Sequence, residues 1–555
     1  MQRHVEDLTR THFDLVVIGG GINGAATARE AALRGLTVAL VEGHDFASAT
    51  SSRSSKLIHG GLRYLEQLDF KLVGEARRER TLLLKLAPHL VRQLPFFLPI
   101  YSGDPYTPTK IRLGLSIYDW LGNQGPGDRH RFYTAEQCLE QVPVLRAEGL
   151  RAGAVYFDSE TDDARLSLEN VLDATAHGAA AANYVQIESF DVVKSGGRGP
   201  QIRTAQGFDR ISGRRLQITG DFWVNATGPW VDSIRAMLPG YDGSKTVRLT
   251  KGTHVMIPQI CGQYALFAAI LPGNRIFVMA PWHGYSLLGT TDDDYLGDPA
   301  GVQPTLEEMQ YLLNAINRVL SKPFTMKDVV GSFAGLRALA IQPGRSPSEN
   351  TREYRFHTDA WAENLITVCG GKLTTARALG EKLVNIVVKR TGKRTSPGVG
   401  RHPSRQEPLP GGRIDRWSAF LAQSTTEAVS EFGIAPEIAG RIINTYGSRW
   451  RRVLEPVREE PWLAERLPGE PALLAAEADF ALREEMATNV EDFLLRRSGL
   501  NWMSCRLRDA APAVAGVFAR RLDWNSEVRE ASIRGFEKAL GGTAEQPAAG
   551  QTVDN

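Results

Sequence analysis

Apolar runs alternate with glycine-rich turns at the start of the chain. Residues 13–19 (FDLVVIG) are apolar and rich in β-branched side chains, a pattern that predicts a buried parallel strand. Residues 20–35 open with glycines and continue as an alanine-rich helix, which Gly35 is placed to end. A second apolar run at 36–42 completes a βαβ unit.

Two later apolar runs, FWVNATG (222–228) and LITVCGG (365–371), also stop at glycines. They predict one sheet assembled from distant pieces of chain. Between them, residues 245–300 alternate apolar and polar positions as antiparallel strands do. A helix is expected from Thr305, because Glu308 three residues on completes a capping box. The pattern therefore indicates a second domain inserted into the first.

The last third of the chain has a different character. Residues 394–412 are rich in proline and glycine and are expected to be a linker. Residues 413–540 are predicted to be mainly helical, and 541–555 to be a disordered tail.

Composition narrows the class of protein. A chain of 555 residues with 42% hydrophobic and 23% charged positions is typical of a large soluble globular protein. The net charge of +2 is too small to attract nucleic acid to the protein as a whole, so nucleic acid is not an expected partner. The four cysteines are far apart, which argues against a zinc cage and a disulfide framework. No apolar run is long enough to span a bilayer and no signal peptide is evident, so we expect a cytoplasmic or peripheral protein.

The strongest motif is the glycine triplet Gly19, Gly21 and Gly24, which directly follows a predicted strand and precedes a helix. In such a turn, glycines let the backbone approach a pyrophosphate and the helix N-terminus stabilises its charge. Glu42, at the end of the next strand, is placed to accept hydrogen bonds from ribose hydroxyls. These residues predict dinucleotide binding without separating NAD from FAD.

Residues 48–64 (SATSSRSSKLIHGGLRY) can lie along an extended cofactor, since they are dense in small hydroxyl side chains before a double glycine. Together with five later motifs in the same order, this segment resembles the aerobic, FAD-dependent glycerol-3-phosphate dehydrogenases within the D-amino-acid-oxidase-like flavoproteins. The later motifs are ATGPWVD (226–232), KGTH (251–254), GTTD (289–292), AGLR (334–337) and CGGKLTTAR (369–377). The resemblance is strong over 13–390 and looser through EDFLLRRSGL (491–500).

The resemblance implies an α/β architecture with three parts. A discontinuous Rossmann-type FAD-binding domain comprises 13–90, 150–245 and 340–393. An inserted antiparallel-sheet substrate domain comprises 91–149 and 246–339, and the C-terminal helical domain follows the linker. FAD is expected to be bound non-covalently. The residues assigned to it are Gly19, Gly21, Gly24, Glu42, Thr50, Ser51, Ser52, Ser55, His59, Gly60, Ala226, Gly228, Gly371, Lys372, Leu373 and Thr374.

The substrate implied is sn-glycerol 3-phosphate, oxidised at C2 to dihydroxyacetone phosphate with hydride passing to flavin N5. Two negative charges on the phosphate require arginine or lysine donors in a partly buried cleft. The resemblance brings together Arg63, Tyr64, Arg337, Arg352, Lys372 and Thr375. Each of the cations could instead form an ordinary surface or interdomain salt bridge.

A general base must reach the C2 hydroxyl, and a cation should stabilise the developing alkoxide. His59 is the favoured base and Arg337 its electrostatic partner, with His254 as a further catalytic candidate. Either histidine could be a structural residue.

The sequence departs from the family at Ala338, where proline is common. The aspartates 292–294 are interpreted as a turn after a strand, and no metal is expected.

Members of the family are typically peripheral membrane proteins that reduce a quinone. Residues 95–120 are the expected docking segment on an anionic membrane surface, because basic and apolar side chains are mixed there. These are Phe96, Phe97, Lys110, Arg112, Leu113, Ile117 and Trp120. An ordinary domain edge is the alternative. A soluble oxidase using oxygen and a non-catalytic flavoprotein that binds phosphate metabolites also stay open, as does a homodimer.

Overall fold

The computed structural model describes residues 3–62, 69–122, 128–194, 199–270, 275–341, 353–393, 400–469, 471–502 and 504–540. Within these ranges the chain folds around two large sheets and a C-terminal group of helices, which confirms the α/β class and its three parts.

The first sheet contains eight of the described strands and is assembled from three distant parts of the chain. The strands are β1 (His12–Ile18), β2 (Val38–Val41), β7 (Ala180–Ala182), β8 (Val185–Val193), β9 (Gln201–Asp209), β10 (Arg214–Asn225), β17 (Arg355–His357) and β18 (Leu365–Cys369). The parallel core has the order β18, β10, β1, β2, β7, while β17 pairs with β18 and β9 pairs with β10 in antiparallel fashion.

Strand β1 shows why a continuous apolar run was required. Leu15 and Val17 pack against the helices on one face, whereas Val16 and Ile18 pack against the other face. Because successive side chains of a strand point to opposite faces, a sheet covered on both sides needs apolar residues at every position. The helices on the first face are α2 (Ile22–Leu33), α6 (Asp163–Ala176) and α9 (Ala376–Thr391), and the other face is covered in part by α1 (Val5–Arg10) and α7 (Val231–Arg235).

The second sheet contains ten of the described strands, almost all antiparallel, as the alternation in 245–300 predicts. Its strands are β3 (Leu57–Ile58), β4 (Val91–Tyr101), β5 (Arg131–Thr134), β6 (Leu150–Thr161), β11 (Val247–Pro258), β12 (Ala265–Ile270), β13 (Arg275–Trp282), β14 (Tyr285–Gly289), β15 (Asp293–Asp294) and β16 (Gly331–Ala340). Strand β6 pairs with β4 along its length, so residues 150–161 belong to this sheet and not to the first one.

Four further helices accompany the second sheet: α3 (Phe70–Leu86), α4 (Pro108–Gly122), α5 (Ala135–Gln141) and α8 (Leu306–Ile316). Helix α8 begins as expected, with Thr305 at its N-cap and a complete capping box with Glu308. It ends at Ile316, four residues before the end of its apolar pattern at Leu320.

The C-terminal part is helical, with one short hairpin of β19 (Arg466–Leu467) and β20 (Leu473–Leu474). Its helices are α10 (Trp417–Phe432), α11 (Pro436–Tyr446), α12 (Trp450–Leu454), α13 (Ala475–Glu484), α14 (Val490–Asp492), α15 (Ser504–Leu522) and α16 (Ser526–Ala539). The expected linker packs where it is described, since the Leu409 amide donates to the Leu86 carbonyl at 2.9 Å. Residues 394–399 and 541–555 lie outside the described residues.

Buried ion pairs fasten the C-terminal part to the first sheet. Arg496 donates to Asp45 at 2.5 Å and Arg497 donates to it at 2.8 Å. Burial alone would raise the pKa of Asp45, but the two guanidinium groups lower it below its ordinary value. A second buried pair joins Arg165 of α6 to Glu485 at 2.6 Å.

In the part of the chain that the structure describes, no helix is both long and apolar enough to cross a bilayer.

Candidate functional site

A cavity of about 550 Å³ lies at the carboxyl ends of the adjacent strands β18, β10, β1 and β2. In a parallel sheet the turns that leave these ends meet at one edge, where the fold class binds its ligands. The turn after β1 contributes Gly19 and Gly21, and the end of β2 contributes Glu42. Segments 226–230 and 370–373 complete the lining beside the glycine turn.

The glycine turn has the form that a pyrophosphate requires. Gly24 packs against the strand, because a Cβ there would lie 1.9 Å from the Gly19 carbonyl oxygen. Helix α2 begins at Ile22, directly after Gly21, so its first amides face the cavity rim. One of them is already satisfied, since the Ile22 amide donates to Ser51 Oγ at 2.9 Å. Gly19 and Gly21 thus line the cavity while Gly24 serves helix packing.

Glu42 is fixed as an acceptor. Its Oε2 accepts from the Gly20 amide at 2.7 Å and its Oε1 from the His44 amide at 2.8 Å. Burial raises the pKa of Glu42, and the two amide donors oppose that effect. The free lone pairs of this carboxylate fit ribose hydroxyls, so the residues present suit a dinucleotide cofactor.

The serine-rich segment divides into two groups. Thr50 and Ser51 line the cavity, and Thr50 Oγ1 donates to the Leu336 carbonyl at 2.7 Å. Ser52 is buried behind them, where its carbonyl accepts from Lys56 Nζ at 2.7 Å and from Trp502 Nε1 at 2.9 Å. The C-terminal part therefore supports this segment from behind.

The lining also contains two cations, which come from segments of the two sheets. Arg337 comes from β16 of the second sheet, Lys372 comes from the turn after β18 of the first, and both line the cavity. Arg337 Nη1 pairs with Asp292 at 3.1 Å and donates to the Thr291 carbonyl at 3.2 Å. These contacts fix the guanidinium, and its side chain keeps 21% exposure for a ligand.

Among the described residues, those that line the cavity do not include His59, which lies beside the lining. Its amide donates to Thr374 Oγ1 at 3.2 Å, and Thr374 directly follows the lining residue Leu373. Gly60 and Thr375 are buried beside it; the Thr375 amide donates to the Lys372 carbonyl at 3.1 Å. The roles of these residues stay predictions, because only their placement near the lining is observed.

His254 is 2% exposed and lies behind the serine-rich segment, where its Nε2 is 2.8 Å from Ser55 Oγ. Its ring stacks on Phe333 with 4.8 Å between the ring centroids. Burial, then the nearby cations Arg337 and Lys56, lower the pKa of His254 to about 3. The imidazole is therefore neutral and weakly basic at physiological pH.

Ala226, Gly228 and Gly371 line the cavity as expected. The lining also includes residues that the sequence did not single out: Asn23, His44, Arg210, Trp230 and Glu353. Asn23 lies inside the glycine motif and Trp230 inside the ATGPWVD motif, so both had a signal. Arg210 had none. Arg63, Tyr64 and Arg352 lie outside the described residues.

The expected docking segment needs a correction. Phe96 and Phe97 are 2% and 0% exposed, because β4 runs through the interior of the second sheet with β6 and β12 on either side. Exposed side chains occur instead on helix α4, where Leu113 is 64% and Trp120 79% exposed. Lys110 and Arg112 lie on the same helix and are also exposed, and Ile117 is half-buried.

The aspartates after β14 take part in ion pairs. Asp292 pairs with Arg337, and Asp294 with Arg248. Among the described residues, no group of three or more His, Cys, Asp or Glu side chains could hold a metal ion.

Two families match the sequence. Residues 14–386 match the FAD dependent oxidoreductases, and residues 403–529 match the C-terminal domain of alpha-glycerophosphate oxidase. The chain is 32% identical over 553 residues to the aerobic glycerol-3-phosphate dehydrogenase of Bacillus subtilis (strain 168), covering 97% of this chain and 96% of the other. It is 33% identical over 550 residues to the Staphylococcus aureus (strain USA300) protein of the same name, covering 97% and 96%.

Solved structures agree with the sequence matches. The glycerol-3-phosphate dehydrogenase from Bacillus halodurans, complexed with FAD, superposes with a TM-score of 0.79 at 28% identity, covering 99% of this chain and 98% of that one. The L-alpha-glycerophosphate oxidase from Mycoplasma pneumoniae, with FAD bound, gives a TM-score of 0.54 at 16% identity over 70% of this chain and 98% of its own. The second likeness shows a shared fold alone.

Proposed function

Because the chain belongs to the FAD-dependent oxidoreductases and, within them, to the aerobic glycerol-3-phosphate dehydrogenases, we propose that it oxidises sn-glycerol 3-phosphate to dihydroxyacetone phosphate and passes the electrons to a membrane quinone. Bound FAD supplies the two-electron acceptor for this oxidation. The glycine turn, Glu42 and the serine-rich segment are the residues that would hold it.

The observation that carries this proposal is the shared lining. Arg337 and Lys372 face the same cavity as the glycine turn. Two cations suit the phosphate dianion of the substrate, and charge-assisted bonds in a partly buried site are the strong ones. The contact with Asp292 orients Arg337 before substrate arrives, so little ordering is needed on binding.

The proton of the C2 hydroxyl goes to His59 in this proposal, while the hydride of C2 leaves with its electron pair. His59 suits the role better than His254, because the pKa of His254 near 3 makes that ring a poor base. Arg337 stabilises the negative charge that develops on the C2 oxygen.

The acceptor is tested by anaerobic mixing of the FAD-loaded enzyme with sn-glycerol 3-phosphate, followed by reoxidation with either a short-chain ubiquinone or oxygen. We expect the substrate to bleach the flavin absorbance and the quinone to restore it at least tenfold faster than oxygen does. Faster reoxidation by oxygen would favour the oxidase. A flavin that the substrate never bleaches would favour a non-catalytic protein.

We further propose that helix α4 docks on an anionic membrane. Leu113 and Trp120 insert, and Lys110 and Arg112 contact the headgroups, since each basic residue near such a surface contributes about 1 kcal/mol. Peripheral attachment of this kind brings the enzyme to its quinone.

The docking proposal is tested by sedimentation with phosphatidylglycerol vesicles. Leu113→Ser with Trp120→Ser should leave the protein in the supernatant while substrate still bleaches the flavin. Leu296→Ser is the matched control, because Leu296 is 97% exposed away from α4, and it should sediment like wild type. Equal sedimentation of all three proteins would place docking elsewhere.

A further inference from the structure

The turn that carries His59 rests on a buried hydrogen-bonded pair from two other elements. The Gly60 amide donates to Asp158 Oδ1 at 3.1 Å. Tyr118 Oη, from helix α4, donates to the same carboxylate at 2.8 and 2.9 Å. Tyr118 is 0% and Asp158 2% exposed, so water does not compete for these bonds.

The contact between the pair and the turn is close. A Cβ added to Gly60 would lie 2.4 Å from Tyr118 Oη and 2.4 Å from Arg77 Cδ. The guanidinium of Arg77 stacks on the Tyr118 ring at 4.1 Å from its centroid, which helps to hold the ring in place. The turn therefore has one position against the tyrosine hydroxyl.

The direction of the hydrogen bonds is also settled. Burial, then the charge of Asp158, raise the pKa of Tyr118 well above its ordinary value. The hydroxyl thus stays protonated and donates at every working pH. Arg80 Nε lies 3.8 Å from Asp158 Oδ1 and balances the carboxylate charge.

We propose that Tyr118 and Asp158 are positioning residues for the oxidation, which hold the His59–Gly60 turn where His59 can accept the substrate proton. This inference rests on the proposed role of His59. Asp158 acts directly on the turn through the Gly60 amide, and Tyr118 acts through Asp158.

The physical reason is the sensitivity of proton transfer to geometry. Displacement of a catalytic group by about 1 Å can cost about a hundredfold in rate. Loss of the Tyr118 hydroxyl frees the carboxylate to rotate, and the buried amide of Gly60 then loses its aligned acceptor. Arg337 and Lys372, the proposed phosphate ligands, are on other elements. Loss of the Tyr118 hydroxyl should therefore leave the affinity for substrate unchanged.

The test compares Tyr118→Phe with Tyr156→Phe in the FAD-loaded enzyme. Tyr156 is 2% exposed, its ring packs edge-on against Tyr118, and in the described structure its hydroxyl makes no hydrogen bond to Asp158. We expect Tyr118→Phe to slow anaerobic flavin reduction about tenfold or more, with KM within about twofold of wild type and full FAD content. Substrate deuterated at C2 should still show a primary isotope effect, which places the loss in the chemical step. Tyr156→Phe should behave like wild type.

A double-mutant cycle with His59→Ala shows whether Tyr118 acts through His59. We expect Tyr118→Phe to add less than about twofold in the His59→Ala background. Equal losses in both backgrounds, or a Tyr118→Phe rate equal to wild type, would overturn the positioning role. Asp158→Asn, which keeps the volume, is the second variant and should also lower the rate without raising KM. If His59→Ala reduces its flavin at the wild-type rate, the proposed base is wrong, and this result is distinct from a failure at Tyr118.

Discussion

Two parts of the cavity lining are built differently. At the glycine turn, the lining consists of backbone, strand ends and one carboxylate, and no side chain on Gly19 or Gly21 fills the space. The cationic part consists of the charged side chains of Arg337 and Lys372, which come from segments of two different sheets. The glycine turn and its carboxylate belong to one βαβ unit, whereas the cationic part depends on how distant segments pack.

This difference predicts that substitutions in the two parts of the lining have separate effects. A change at the glycine turn should remove the cofactor and all activity with it. A change at Arg337 or Lys372 should leave the cofactor in place and remove only the use of substrate.

Gly21→Val should give apoprotein. Gly21 has φ −74° and ψ 177°, a conformation that valine adopts readily, so the loss comes from the space that the side chain takes. Its Cβ would already lie 3.1 Å from Ser51 Oγ, and the rest would occupy the place of the pyrophosphate. Flavin absorbance of the purified protein measures the result. Gly440→Val is the control, since a Cβ there meets nothing within 4 Å. Retention of FAD by Gly21→Val would refute the placement of the pyrophosphate at the glycine turn.

Arg337→Ala and Lys372→Ala should keep the flavin spectrum and lower kcat/KM for sn-glycerol 3-phosphate by about tenfold to a hundredfold each. A charge-assisted contact in a partly buried site contributes about 1.5–3 kcal/mol. Arg248→Ala is the matched control, because Arg248 pairs with Asp294 two residues from the Arg337 partner. Steady-state kinetics give kcat/KM for all three variants. Normal turnover by both cavity variants would exclude this phosphate site.

His254 should impose a smaller, pH-dependent effect on stability. Its folded pKa of about 3 lies below the ordinary 6.5, so the unfolded chain binds the proton first as pH falls. Stability is therefore complete above about pH 6.5 and declines toward pH 3, by up to about 1.4 kcal/mol per pH unit. Denaturant unfolding at pH 6.5, 5.5 and 4.5 should show a weaker decline for His254→Gln than for wild type. Parallel declines would mean that the ring is not buried in its neutral form.

The sequence predicted the local features well. The apolar run of β1, the glycine turn and the Thr305 capping box each depend on residues within a short window, and each was found. The inserted sheet was also recognised, because its alternation persists over several strands.

What depends on packing could not be predicted in the same way. PFFLPI looks equally suited to a surface and to an interior strand, and only pairing of β4 with β6 decides that Phe96 and Phe97 are buried. The bonds from Arg496 and Arg497 to Asp45 join residues about 450 positions apart, a separation that no local pattern reveals. The support of Gly60 by Tyr118 and Asp158 was missed for the same reason.

We propose that one cavity holds the cofactor and the substrate phosphate together. It is tested most directly by anaerobic titration of FAD-loaded wild type and Arg337→Ala with one equivalent of sn-glycerol 3-phosphate, with glycerol as the control substrate. We expect wild type to lose most of its oxidised-flavin absorbance, Arg337→Ala to keep most of it over the same time, and glycerol to bleach neither protein. Equal bleaching of the two proteins, or bleaching by glycerol as fast as by the phosphate ester, would contradict it.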